Sequence, residues 1–220
     1  MYKLSPSKAH RYLNCTKSLE FDTDFIETPS TIRGSILHKL AEMMLMNQDT
    51  LEYIGENKIN EYELYLINEY VKCVWRESER LNGEIVIEQK KPIIIYNNDI
   101  NLIIDALIVS ETEASIVDLK TGNADVEVEE NEQLYFYAYM VATQYDKIET
   151  FYLNIFQKGS LRTFVVSRAD VFDFFIEKEE VFLKIAKNEL EYNPSDKACK
   201  FCPIKDKCLA RAKWIIGGKK

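Results

Sequence analysis

No apolar run in this chain approaches the roughly 20 residues that a membrane-spanning helix requires. The opening, MYKLSPSKAHRYLNC, lacks the apolar segment that marks a secretory leader. Internal repeats, low-complexity tracts and linkers are missing too. Cysteine is scarce and odd in number, five in all. Without an export signal that count argues against a disulfide framework. These absences lead us to expect a cytoplasmic protein whose thiols stay reduced.

The 220 residues suffice for one well-buried domain, and 46% apolar with 29% charged content is ordinary for a globular chain. The net charge of −8 argues against a general nucleic-acid coat protein. It leaves a local nucleic-acid groove open, because affinity follows the local field rather than the total charge.

The most informative stretch is Ile100 to Gly122. Leu102–Val109 and Ala114–Lys120 read as two apolar strands joined by a short polar turn. Each carries one acid, Asp105 or Asp118, and burying a carboxylate is costly unless something pairs with it. Side chains alternate along a strand, so Asp118 and Lys120 share a face. A four-residue loop, Ser110 to Glu113, sets Val109 against Ala114 and therefore Asp105 against Asp118. Two opposed carboxylates repel, which makes sense if a divalent cation lies between them. An edge hairpin with an incidental Asp–Lys pair reads equally well from these residues alone.

Around this hairpin the periodicity gives a helix from Ser5 to about Cys15, capped by Ser5 with Pro6 at its first position. A turn at Thr28–Ser30 leads to a helix over Ile32–Met46 that carries His38. An amphipathic helix over Ile59–Leu81 follows, with Tyr62, Tyr70, Cys73 and Trp75 in its apolar stripe. Cys73 there reads as a buried free thiol. A strand over Glu84–Lys90 puts Glu88 and Lys90 on one face, and Asn97–Asn98 turn the next hairpin. An acidic segment leads to a helix ending near Thr143 with Gln133 and Tyr137 one turn apart. Strands near Ile148–Phe156 and Leu161–Val166 precede a long helix from Ala169 to about Glu191.

The tail is C-x₂-C-x₅-C, with Cys199, Cys202 and Cys208 within reach of one centre. A fourth thiolate would complete the quartet that a cubic iron–sulfur cluster or a tetrahedral zinc needs.

The order Gly34-x-x-x-His38, Asp105, Asp118-Leu119-Lys120, then Gln133-Leu134-Tyr135-Phe136-Tyr137 resembles the RecB-like branch of the PD-(D/E)XK nucleases. The resemblance spans about His38 to Tyr137. The start LSPSKAHRYLNC and the cysteine tail extend it to the iron–sulfur members, although Thr16 stands where that family usually has Pro. The resemblance implies a restriction-endonuclease-like α/β fold, with a mixed central sheet flanked by helices. It implies a single nuclease domain over 1–220, with an iron–sulfur lobe from 1–20 and 193–212. It implies an Mg²⁺- or Mn²⁺-dependent deoxyribonuclease, an exonuclease acting on single strands or ends, of the CRISPR-associated or phage-recombination type. His38, Asp105, Asp118 and the Leu119 carbonyl would ligate the ion, with Lys120 catalytic beside them. Gln133 and Tyr137 would position DNA, and Glu88 would stand in the outer shell. Cys15, Cys199, Cys202 and Cys208 would hold a 4Fe–4S cluster. A recombination or CRISPR protein would be the partner. A non-catalytic DNA-end-binding protein on the same fold is the alternative.

Overall fold

The computed structural model describes residues 2–21 and 28–218, so the extreme ends of the domain read from the sequence lie outside it. In chain order the elements are α1 (Ala9–Tyr12), α2 (Pro29–Leu45), α3 (Leu51–Glu56), α4 (Glu61–Leu81), β1 (Glu84–Ile95), β2 (Asn98–Val109) and β3 (Glu113–Lys120). They continue with α5 (Glu132–Gln144), β4 (Thr150–Gln157), β5 (Ser160–Ser167), α6 (Arg168–Glu177), α7 (Glu179–Ala186), α8 (Asp196–Cys199) and α9 (Leu209–Ile216). The result is a mixed α/β fold, a five-stranded sheet in the order β1-β2-β3-β4-β5 flanked by helices. β2/β3 and β4/β5 are antiparallel, while β3/β4 are parallel and need the α5 crossover between them. The chain divides into two compact units, one of 1–26, 92–102 and 172–220, the other of 27–91 and 103–171. The unit holding both termini is thus larger than the lobe of 1–20 and 193–212 read from the sequence.

In the second unit α2 and α4 pack Leu37, Leu40, Ile67, Tyr70 and Val74 against Ala106, Ile108, Val117, Leu119 and Phe156. The Tyr70 ring meets Phe156 edge-on, and its hydroxyl donates to the Val117 carbonyl. α5 packs on β3 and β4 with Leu134, Phe136, Met140 and Val141 buried.

Several sequence boundaries move. Thr28 caps α2 through the Thr31 N–H and Pro29 occupies the first turn, so the helix begins where a turn was expected. The apolar stripe of α4 is narrower than read, since Tyr62 and Trp75 are exposed and Cys73 is only partly buried. β1 is one strand whose backbone is left-handed at Glu88 (φ 49°), and Lys90 Nζ stands 3.9 Å from Glu88 Oε2, so the two side chains meet on one face as the sequence implies. The hairpin turns at Tyr96–Asn97, both at positive φ, one residue earlier than read. Buried Asn98 begins β2 and donates to the carbonyls of Ile95, Tyr96 and Phe182. The long final helix is two, α6 and α7, and it ends at Ala186.

One polar clamp fixes α2 against α4. Arg33 grips both Glu63 oxygens and also donates to the carbonyls of Asn57 and Lys58. Glu63 in turn accepts the Asn60 N–H in the capping box of α4. The Arg33 guanidinium holds the Glu63 carboxyl below its usual range, against the opposing effect of partial burial. A depressed carboxyl contributes stability that is complete above its unfolded pKa of about 4.3 and is lost as pH falls through the lowered folded value. Glu63→Gln should lower unfolding free energy at neutral pH by about 1–3 kcal/mol. It should also flatten the acid limb of stability below about pH 4. Urea titrations of both proteins across that range check this.

Candidate active site

Asp118 sits in the middle of β3 between Val117 and Leu119, which join the α2–α4 core. Alternation turns its side chain the other way, towards α5. It is 4% exposed. Its Oδ1 accepts from Gln133 Nε2 at 3.0 Å. Lys120 Nζ stands 2.8 Å from Oδ2 as an ion pair, yet Oδ2 has no aligned hydrogen-bond donor. Gln133 also accepts from Lys120 Nζ at 2.9 Å and donates to the Tyr137 hydroxyl at 2.6 Å. The glutamine therefore links the acid, the ammonium and the phenol. Its place follows from sequence: Asn131 caps α5 through the Leu134 N–H, and 133 and 137 are one turn apart.

Asp105 lies on β2. The pairing of β2 with β3 has Val109 against Ala114, as the four-residue loop requires, and runs to Ala106 against Val117. At the next position the Asp105 carboxylate takes over from the backbone. Its Oδ2 accepts the Leu119 N–H at 2.8 Å and its Oδ1 meets His38 Nδ1 at 3.2 Å. α2 presents His38 at this point because Gly34, one turn earlier, lies close to the end of β3. A Cβ at Gly34 would come within 3.2 Å of Thr121 Oγ1.

The electrostatics are those of a crowded acid pair. Burial raises the Asp118 carboxyl; Lys120 opposes this, Asp105 adds to it, and the net direction is upward. Burial works to lower His38, but its hydrogen bond to Asp105 and the charges of Asp105 and Asp118 outweigh that and raise it. Burial, reinforced by Asp118, holds the Tyr137 phenol well above its ordinary value. Glu88 is raised by burial and by the charges of Asp105 and Glu42.

An open groove of about 560 Å³ runs past His38 and Glu88, lined also by Gly34, Lys39, Glu42, Thr121 and Gly122. The sequence reading missed Glu42. Its signal was present, since it follows His38 by four residues and so shares a helix face.

The cysteines gather in the first unit. Cys15, Cys199, Cys202 and Cys208 line one small cavity with Ser18, Phe21, Tyr192 and Ile204. α1 packs on α8 there. Lys17 N–H donates to the Glu191 carbonyl, and Glu191 N–H donates to Thr16 Oγ1. Cys15 Sγ accepts the Asn193 N–H at 3.3 Å, and Cys208 Sγ accepts the Arg211 N–H at 3.4 Å. Burial pushes the Cys15 thiol up, against the Asn193 and Ser18 amides. Ser18 is 2% exposed and its hydroxyl has no partner.

Among the described residues no three His, Cys, Asp or Glu side chains close around one point as an ion's ligand shell. Two features nevertheless fit added charge. The Asp118 carboxylate, buried beside that of Asp105 and balanced only by the Lys120 ammonium and the Gln133 amide, is a natural partner for a cation. The Ser18 hydroxyl and the amides aimed at Cys15 and Cys208 suit a group bound through sulfur.

Gln133→Leu should strand Asp118 Oδ1 and Lys120 and lower stability by about 1–3 kcal/mol. A double-mutant cycle with Tyr137→Phe should give a coupling of at least about 0.5 kcal/mol by urea unfolding, because the two share one hydrogen bond.

A crystal structure described as a "putative exonuclease" from Eubacterium rectale is similar in fold, with a TM-score of 0.53 at 11% identity, covering 94% of this chain and 88% of that one. The crystal structure of SSO0001 matches at a TM-score of 0.44 and 11% identity, covering 96% of this chain and 88% of its own. The family model described as "Protein of unknown function (DUF2800)" matches residues 2–217, nearly the whole sequence, and the protein belongs to that family.

Proposed function

We propose that this protein is a metal-dependent deoxyribonuclease of restriction-endonuclease-like fold, an exonuclease that acts on single strands or ends. The observation that carries the reading is the buried Asp118 carboxylate, set beside Asp105 and paired with Lys120. The fold likeness to the E. rectale "putative exonuclease" and the resemblance to RecB-like nucleases support the same class.

In this reading His38, Asp105, Asp118 and the Leu119 carbonyl hold Mg²⁺ or Mn²⁺, which when bound supplies Lewis-acid charge to a phosphodiester and acidifies its water. The chain's own groups do the rest. Asp105 orients His38 through Nδ1, which directs the other ring nitrogen to a ligand. Lys120, held by Gln133, stabilises negative charge developing on the phosphate. Gln133 and Tyr137 fix the donor geometry against α5, so the substrate meets a site already ordered. The groove past His38 and Glu88 gives the strand its path, with Glu88 in the outer shell. We further infer a role in recombination or CRISPR-related DNA processing, with a partner protein from that pathway.

Asp118→Asn keeps the shape and removes the charge. It should abolish Mg²⁺- or Mn²⁺-dependent degradation of end-labelled single-stranded DNA while leaving the protein folded. Lys120→Ala should lose turnover and keep metal binding, because an ammonium does not ligate a cation. Undiminished degradation by folded Asp118→Asn would sink the site. DNA binding without degradation by the natural chain would favour an end-binding protein instead.

The four-cysteine cavity we assign to one 4Fe–4S cluster with a structural role. Anaerobically purified protein should be brown, with about four irons per chain. Replacing Cys15, Cys199, Cys202 or Cys208 by Ala should lower soluble yield and iron content together, because thiolate ligation couples metal to folding. Cys73→Ala should keep the full iron content. Colourless protein with one zinc on the same cysteines would replace the cluster by a zinc staple.

A further inference from the structure

The DNA reading leaves a question of electrostatics. The chain carries −8 overall, and the open groove beside its candidate catalytic residues is lined by Glu42 and Glu88 against Lys39, which is paired with Glu42. Phosphate binding needs cations from somewhere. They are concentrated at the end of the sequence. From Ser195 onward the chain has seven lysines and one arginine against two aspartates. Several are placed by the cysteine loops themselves. Lys200 follows Cys199, and Lys205 and Lys207 lie between Cys202 and Cys208; all three are exposed. Lys200, Lys205 and Arg211 form one local group, with Asp206 beside Arg211. Lys205 Nζ reaches the Lys200 carbonyl at 3.5 Å, and Arg211 donates to the Lys205 carbonyl at 3.1 Å.

An aromatic ring stands among these cations. Phe201, between Cys199 and Cys202, is 59% exposed. A phenylalanine in that position contributes little to a core. Its ring is nevertheless held in place, edge-on to His10 with centroids 5.6 Å apart. Lys200 Nζ lies 5.3 Å from its centroid. A fixed, exposed ring with flanking lysines is the combination that binds unpaired nucleic acid. The ring stacks a base while the ammonium groups neutralise phosphates.

We propose that the Cys199–Cys208 loops form a single-stranded-DNA docking surface, with Phe201 as the stacking platform and Lys200, Lys205 and Lys207 as phosphate contacts. The surface rests on the nuclease reading only for its choice of DNA. Because the cysteines bracket every one of these residues, whatever the thiols bind fixes their spacing. Loss of that group should therefore cost DNA affinity as well as solubility.

The test is fluorescence anisotropy of labelled oligo-dT with the anaerobically purified full chain in EDTA, where hydrolysis is excluded. Phe201→Ala should weaken binding about 5- to 150-fold, the range for loss of one stacked base. It should leave the salt slope unchanged and remove any preference for oligo-dT over blunt duplex. Phe201→Tyr should restore affinity, which a merely structural defect would not allow. Lys200→Gln/Lys205→Gln/Lys207→Gln should weaken binding and reduce the log–log salt slope by about 2, given about 0.7 per phosphate contact on single strands. Iron content and circular dichroism matching the natural chain establish that each variant is folded. Natural affinity in both folded variants would overturn the proposal even if the protein degrades DNA. Weakened binding in both, with no degradation by the natural chain in Mg²⁺ or Mn²⁺, would uphold the surface and sink the nuclease reading instead.

Discussion

A carboxylate in the middle of an apolar strand has to be compensated, and the second unit is arranged around that requirement at Asp118. Water cannot do it at 4% exposure. The chain supplies one amide donor from Gln133 and one ammonium from Lys120, and both come from elements fixed by the core. α5 must begin one residue before Gln133 for that amide to arrive, and Asn131 sets its start. Lys120 must follow by two residues to share the face. Gln133 serves one oxygen and the Lys120 ammonium the other, and with Asp105 close by the carboxyl is still raised by burial.

Asp105 shows the same economy in a different form. A backbone ladder that continued past Ala106 would use the Leu119 N–H for strand pairing. Instead the carboxylate accepts it, so a side chain replaces a backbone partner at the point where the two strands part. The substitution keeps the amide satisfied, which a buried N–H demands. It also anchors Asp105 firmly enough to orient His38. α2 can bring His38 there because nothing but hydrogen occupies the Cα of Gly34, and because Arg33, on the next position, ties the helix to Glu63.

Much of this was legible. Strict alternation placed Asp118 with Lys120, and the loop length placed Val109 against Ala114, because both depend on local geometry with a period of two. The helix carrying Gln133 and Tyr137 was legible for the analogous reason at 3.6 residues. What failed was governed by single backbone residues or by long-range packing. The left-handed backbone at Glu88 has no signal in sequence, where the residue looks like any other strand position. Pro29 was read as a turn because the capping role of Thr28 is visible only once the helix direction is known. Trp75 and Tyr62 read as core by residue type, yet the buried stripe of α4 is Ile67, Tyr70, Val74 and Leu81. The short helices α3, α8 and α9 carry too few periodic positions to announce themselves.

The cysteine cavity follows a different logic from the carboxylate site. There the fold closes on apolar residues and thiols whose amide donors, from Asn193 and Arg211, already point at sulfur. Cys208 caps α9 through the Arg211 N–H, and Cys15 accepts the Asn193 N–H while its thiol donates to the Glu191 carbonyl. Burial outweighs the amides and raises the Cys15 thiol. The two sites thus share one physical theme. In each, burial and neighbouring acids both raise the acidic group, Asp118 beside Asp105 and Cys15 beside Cys199 and Cys202.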